Sequence, residues 1–152
     1  MPSHMEQTLA IIKPDAFNNR VVGKIIAMIE EQGLRIVAMA MRRLSAEQTR
    51  RFYAVHDGKP FFEPLVDFMS SGPCLTMVLE GDNALQRWRT LMGPTDPSKA
   101  PDETIRRRYG TDVRFNAVHG SDSAKNARTE IGFFFADINL DTAPSCRKES
   151  NT

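Results

Sequence analysis

Cysteine is scarce. The 152 residues hold two, Cys74 and Cys146, far apart in the chain, which excludes a disulfide-built scaffold and fits a reducing compartment. No Cys/His set at zinc-ligand spacing occurs, so a structural zinc site is excluded as well. No apolar run approaches the ~18–20 residues of a membrane-spanning helix, and no secretory signal opens the sequence. No membrane partner is expected, and the expected location is cytoplasmic. Charge of one sign is not in excess either. Lys and Arg number 20 against 19 Asp and Glu, a net charge of +1 with His neutral, so a dedicated nucleic-acid partner is not expected. Internal repeats and low-complexity tracts are absent. So are the phosphate-binding loop Gly-x-x-x-x-Gly-Lys-Ser/Thr, the dinucleotide fingerprint Gly-x-Gly-x-x-Gly, the kinase triplet His-Arg-Asp and the hydrolase elbow Gly-x-Ser-x-Gly. A protein of this sequence that handles phosphate does so by another device.

What remains is an ordinary globular composition of one domain's length, with 41% apolar and 26% charged residues. Residues 1–5, Met-Pro-Ser-His-Met, read as an expression-tag scar or N-terminal extension, residues 6–136 as a single domain, and residues 137–152 as a polar, Pro-broken C-terminal tail. Thr8 to Ile12, Ile36 to Leu44 and Cys74 to Leu79 are short β-type runs, and Phe115 to Val118 reads as a fourth. Lys13-Pro14-Asp15 ends the first. Val21, Val22, Ile25, Ile26 and Ile29 recur at helical spacing up to Gly33, placed as a helix-terminating glycine. Ser45-Ala46-Glu47-Gln48 is a capping box opening a helix to about Val55. Further helices follow over Phe61 to Met69, around Trp88, over Thr104 to Tyr109, and from a cap at Asp122 or Ser123 through Ala124, Ala127, Ile131 and Phe134. Gly93 to Asp102, with three prolines, is a long loop of the kind that carries function. The order of elements predicts an α+β sandwich of the ferredoxin-like βαββαβ type, with helices packed on a four-stranded antiparallel sheet. Cys74 is expected to be buried and inert, Cys146 reachable.

One segment concentrates chemistry: Asn116-Ala117-Val118-His119-Gly120-Ser121-Asp122. A histidine follows a short strand, and a glycine that leaves room and permits an unusual backbone angle follows the histidine. On its residues alone, such a histidine serves either as a hydrogen-bonded core group or as a catalytic one. Basic pairs at Arg42-Arg43 and Arg50-Arg51 and the run Arg106-Arg107-Arg108 admit a nucleic-acid-binding module as a competing reading, although the RNA-recognition sheet signature is absent.

The motif Asn-x-x-His-Gly-Ser-Asp resembles the active-site signature of the nucleoside diphosphate kinases, and the resemblance runs from Thr8 to about Phe135. It includes Ile12 to Asp15, Tyr53 with Lys59-Pro60-Phe61-Phe62, Ser71-Gly72-Pro73, Arg89 with Gly93-Pro94-Thr95-Asp96-Pro97, and Thr104-Ile105-Arg106. The resemblance implies ping-pong transfer of a γ-phosphoryl group through a phosphohistidine on His119, with Glu130 fixing its tautomer and Ser121 beside it. It assigns Lys13, Tyr53, Arg89, Thr95, Arg106 and Asn116 to nucleotide binding, as the donors and cations that meet the charge on the phosphoryl oxygens. Phe61, with Leu65 and Val113, becomes an unselective base platform. The cofactor implied is Mg2+ carried on the phosphates of nucleoside di- and triphosphates, with no protein carboxylate cage for it. The assembly implied is a homotetramer or homohexamer built from dimers. An alternative, a scaffold that kept the fold and lost activity, is disfavoured by the intact His119, Lys13, Arg89 and Asn116. Three positions depart from the family pattern: Val55 where an acid is frequent, Arg108 where many relatives carry an acid, and Phe115 where a polar residue is common.

Overall fold

The computed structural model describes residues 5–136. Four segments pair into one antiparallel sheet of order β2-β3-β1-β4: β1 Met5–Ile12, β2 Arg35–Arg43, β3 Pro73–Asp82 and β4 Val118–Gly120. With helices between them, this is the expected ferredoxin-like arrangement. β1 and β3 lie in the middle and read as apolar runs because both of their faces are covered. The pleat of β1 sends Ala10 and Ile12 to one face and Leu9 and Ile11 to the other. On the first face pack α2 (Val22–Glu31), α5 (Ala84–Met92) and the short α6 (Ile105–Tyr109), led by Ile25, Ile29, Trp88 and Ile105. On the second pack α3 (Ala46–Phe52), α4 (Phe62–Met69) and α7 (Ala124–Phe135), through Tyr53, Phe62, Val66, Met69 and Phe135. Phe62 is buried and Phe61 stands out in solvent, the division their adjacency suggests.

Local chemistry explains most boundaries. Ser45 and Gln48 form the full capping box of α3. Gly33, with φ +80°, follows α2 in the left-handed region. Ser123, not Asp122, caps α7 by accepting from the Asn126 amide.

Four details differ from expectation. Pro14 does more than end β1: as the first residue of the short α1 (Pro14–Asn18) it starts a helix, since a helix's first residue needs no N–H. The fourth strand sits later than Phe115 to Val118, at Val118–Gly120, because Phe115 instead joins a turn closed by Thr111 donating to its carbonyl. Helix α3 ends at Phe52 and passes into a 3-10 turn at Ala54–His56. On α7, Ala124 is exposed and Phe135 fills the core position.

Cys74 is fully buried in β3, and burial pushes its thiol up to about 11. Cys146, His4 and the tail lie outside the described residues.

Candidate active site

β4 pairs with β1 so that His119 faces Ile11 and Gly120 faces Ala10. Because Ile11 belongs to the α3–α4–α7 face and Ala10 to the α5 face, the pleat turns the imidazole toward α3 and α7 and the next residue toward α5. His119 Nε2 lies 3.0 Å from Glu130 Oε1, and the same carboxylate oxygen accepts from Ser121 Oγ at 2.8 Å. A carboxylate only accepts, so Nε2 carries the proton and Nδ1 keeps its lone pair. Among the described residues no hydrogen bond reaches Nδ1. The rings of Phe52 and Tyr53 press edge-on against the imidazole at 5.5 and 5.8 Å between centroids. Trp88 Nε1 donates to the His119 carbonyl at 3.3 Å.

Gly120 serves a purpose other than an unusual backbone angle. A Cβ there would stand 2.6 Å from Trp88 Nε1 and 2.6 Å from the Met92 methyl, so the absent side chain is what lets α5 approach β4. The unusual angle belongs to Ala117 instead, at φ +74°. Val118 N–H donates to the Asn116 carbonyl across it at 2.9 Å, which makes residues 116–118 a three-residue γ-turn of the rare, strained kind.

His119 lies on the wall of a cleft of about 1050 Å³. Lys13, Tyr53, Phe61, Leu65, Arg89, Thr95, Arg106, Val113, Asn116 and Glu130 all line it. Ser121 is fully buried behind it, attached through Glu130. Every residue the resemblance assigned to the site therefore lines this one cleft or, for Ser121, lies directly behind it.

The floor is cationic. Lys13 is 7% exposed, and burial, together with the neighbouring Arg106, lowers its ammonium to about 8. Arg106 is 9% exposed and lowered to about 10 by burial and by Arg89. Lys13 Nζ donates to Asn116 Oδ1 at 2.8 Å, and Arg106 donates to the carbonyls of Gly93 and Val118. None of the ion pairs among the described residues ties either cation to a carboxylate. Arg106 Nε and the Tyr53 hydroxyl are buried with no partner, and burial pushes the Tyr53 phenol up. Unpaired buried cations and orphaned donors are costly unless a ligand completes them.

The basic runs divide cleanly. Arg107 and Arg108 point to solvent while Arg106 turns inward. Arg87 is occupied by the carbonyls of Asp82 and Gln32 on the far side of α5, and Arg89 reaches the cleft, with Nη1 3.4 Å from the Ser121 carbonyl. Asn116 spends its amide hydrogens on the carbonyls of Thr95 and Val113, tying the long loop to the floor. At the mouth, Phe61 is 46% exposed and Val113 60%. The departure Val55 also lines the cleft and is exposed, as is Arg108 away from it, while Phe115 packs edge-on against Phe68 at 4.8 Å. Sequence reasoning missed Phe52 and the link from Trp88 to His119. Both sit at helical positions whose apolar character reads as core, and only the α3–β4 and α5–β4 contacts give them a second meaning.

Among the described residues no group of three or more His, Cys, Asp or Glu gathers into a metal site, and no helix is long and apolar enough to cross a membrane.

A histidine with one nitrogen held by a carboxylate and the other open to a cationic cleft, on an α+β sandwich, defines a phosphotransferase class of site. The family follows from comparison: the chain belongs to the nucleoside diphosphate kinase family, whose model matches residues 6–140. It is 53% identical over 136 residues to the nucleoside diphosphate kinase of Syntrophotalea carbinolica, covering 90% of this chain and 99% of that one. The crystal structure of the Aquifex aeolicus nucleoside diphosphate kinase superposes with a TM-score of 0.85 at 44% identity, over 88% of this chain and 96% of that one. The Halobacterium salinarum enzyme, solved in complex with CDP, gives 0.84 at 38% identity, over 93% and 97%. The protein is thus an enzyme that moves phosphoryl groups between nucleoside tri- and diphosphates.

Proposed function

We propose that the transfer runs in two half-reactions through a phosphohistidine on His119. The observation that carries this reading is the free Nδ1 of His119, set in a cationic cleft while Glu130 holds Nε2. Nδ1 attacks the γ-phosphorus of a bound nucleoside triphosphate, the bond to the bridging oxygen breaks, and the diphosphate leaves. A second diphosphate then takes the phosphoryl group in the reverse sense. As Nδ1 bonds to phosphorus the ring gains positive charge, which the Glu130 carboxylate offsets, with Ser121 fixing that carboxylate. Lys13, Arg89 and Arg106 meet the phosphate oxygens where charge accumulates. Tyr53, Thr95 and Asn116 complete the phosphate and sugar contacts, and the orphaned Tyr53 hydroxyl supports that assignment.

Magnesium fits this cleft as part of the substrate. Two of the facing carboxylates are committed, Glu130 to His119 and Ser121, and Asp112 to the amides of Arg114 and Phe115. Bound to the phosphates, the ion neutralises charge there. The exposed faces of Phe61, Leu65 and Val113 offer a base an apolar platform, which selects little because every base has a stacking face. The protein acts in the cytoplasm as a homotetramer or homohexamer of dimers. The half-exposed outer strand β2, with Met39 and Met41 in solvent, supports a further contact between copies.

The test is incubation with γ-labelled ATP and magnesium. The expected product is acid-labile, base-stable label on His119, discharged by added nucleoside diphosphate and absent from a folded His119→Ala variant. Label that survives in that variant overturns the assignment of His119.

A further inference from the structure

We propose that Asp15 is a positioning residue for His119, acting through the backbone of Ala117 rather than on the nucleotide. The inference rests on the phosphohistidine reading above. Ala117 is fully buried two residues before His119, at φ +74°, a region that non-glycine residues rarely adopt. Something must hold it there, and three hydrogen bonds do. Lys13 N–H donates to the Ala117 carbonyl at 2.8 Å, and Val118 N–H closes the γ-turn onto the Asn116 carbonyl. The third is the only one made by a side chain: Ala117 N–H donates to Asp15 Oδ2 at 3.0 Å, across 102 residues of sequence.

Asp15 is itself placed for this. It stands in the first turn of α1, 8% exposed, where backbone amides favour a carboxylate. Its other oxygen, Oδ1, is buried with no partner. A buried carboxylate with one oxygen spent on a strained amide and the other without a hydrogen bond, eased only by the nearby Lys13 and the amides of its own helix turn, is a poor device for stability alone. It is a good one for fixing a turn. Asp15 is also absent from the residues that line the cleft, so its effect reaches the reaction through the chain. The γ-turn sets where β4 begins, and β4 sets where the imidazole points. Alignment of nucleophile and phosphorus is the quantity at stake, and a displacement of about 1 Å costs up to ~100-fold in rate.

The test compares Asp15→Ala, Asp15→Ser and Asp15→Asn with the parent, each confirmed as folded by circular dichroism. The readout is single-turnover labelling of His119 by γ-labelled ATP across a range of ATP concentrations. Asn retains an oxygen at the right length, whereas Ser falls one atom short of the Ala117 amide. The expected result is a maximal labelling rate ~10–100-fold lower for Ala and Ser, a half-saturating ATP concentration changed less than ~3-fold, and a rate within ~5-fold of the parent for Asn. Glycine adopts a positive φ freely, so in an Ala117→Gly background the loss on removing Asp15 shrinks. Should Asp15→Ala fold poorly, Ser against Asn carries the comparison. Equal rates for folded Ser, Asn and parent overturn the proposal while leaving the histidine mechanism standing, and so does a loss confined to ATP affinity. A parent that never labels overturns both.

Discussion

Replacing Gly120 by alanine separates a steric requirement from a conformational one. The added methyl would stand 2.6 Å from Trp88 Nε1, 2.7 Å from Trp88 Cδ1 and 2.6 Å from the Met92 methyl, where ordinary contact needs ~3.5–4.0 Å. Met92 ends in a flexible thioether and yields. Trp88 is fully buried between α5 and the sheet and does not. Overpacking of this kind costs ~1–3 kcal/mol, and the Trp88 hydrogen bond to the His119 carbonyl is strained with it. At ~2–4 °C per kcal/mol for a chain of this length, the melting temperature falls by roughly 2–12 °C. Gly132 is the matched control. It lies exposed inside α7 with nothing within 4 Å of its would-be Cβ, so Gly132→Ala raises stability by ~0.5–1 kcal/mol through helix propensity. Thermal denaturation of both variants, without nucleotide, decides the matter. A Gly120→Ala protein that melts at or above the parent refutes the reasoning, because the indole then has room it was argued to lack.

Lys13, lowered to about 8 in the free protein, is raised again by a bound polyphosphate. Nucleotide affinity is therefore expected to fall as pH rises through about 8, with proton uptake on binding at pH 8.5 and little at pH 7. Calorimetry in two buffers of different ionisation enthalpy measures this, and no uptake at pH 8.5 argues that Lys13 does not meet the phosphates. Glu130→Gln keeps an acceptor for His119 Nε2 but loses the charge. Its phosphorylation rate is expected to drop ~10–100-fold with nucleotide affinity nearly unchanged, and an unaltered rate in rapid-quench experiments rules out a charge-stabilising role. Cys74 is expected to react with an aromatic disulfide reagent only on unfolding, since its thiol is both buried and raised to about 11. Peptide mapping that finds Cys74 modified in the folded protein contradicts its placement.

The sheet and its helices were legible from residue pattern because β1 and β3 are buried on both faces and α2 carries its apolar stripe at one period. The capping box at Ser45 and the glycine at 33 marked boundaries for reasons of local chemistry that tertiary structure did not override. The segment before His119 was not legible. Phe115-Asn116-Ala117-Val118 has the composition of a strand, and the γ-turn inside it is imposed by Asp15 and Lys13 from the other end of the chain. The choice of Arg89 over Arg87 and of Arg106 over its neighbours came only from resemblance. Helical spacing shows that neighbouring arginines point apart, yet says nothing about which one faces a cleft. The link from Trp88 to His119 has no sequence signature at all, because a buried tryptophan on an amphipathic helix is fully explained by packing.

The floor of the cleft explains why such a site must be held so firmly from behind. Lowering an ammonium from 10.5 to about 8 corresponds to a cost of about 3 kcal/mol for keeping Lys13 charged, at ~1.4 kcal/mol for each pH unit. The sign follows from the direction. A base whose folded value lies below its unfolded one is carried at a loss below about 8, and the loss is relieved as pH rises from there toward 10.5. Arg106 bears a cost of the same kind. Asp15 offsets the Lys13 charge only in part and from behind the cleft, and none of the ion pairs among the described residues reaches either cation. A carboxylate paired with them inside the cleft would compete with the phosphate for the same charges. Burial that weakens the fold is thus the condition for affinity, because a bound polyphosphate recovers what the empty cleft withholds. The backbone carbonyls of Gly93 and Val118 and the side-chain oxygen of Asn116, all neutral, hold the two cations in place. They orient the charges without cancelling them, which a salt bridge could not do.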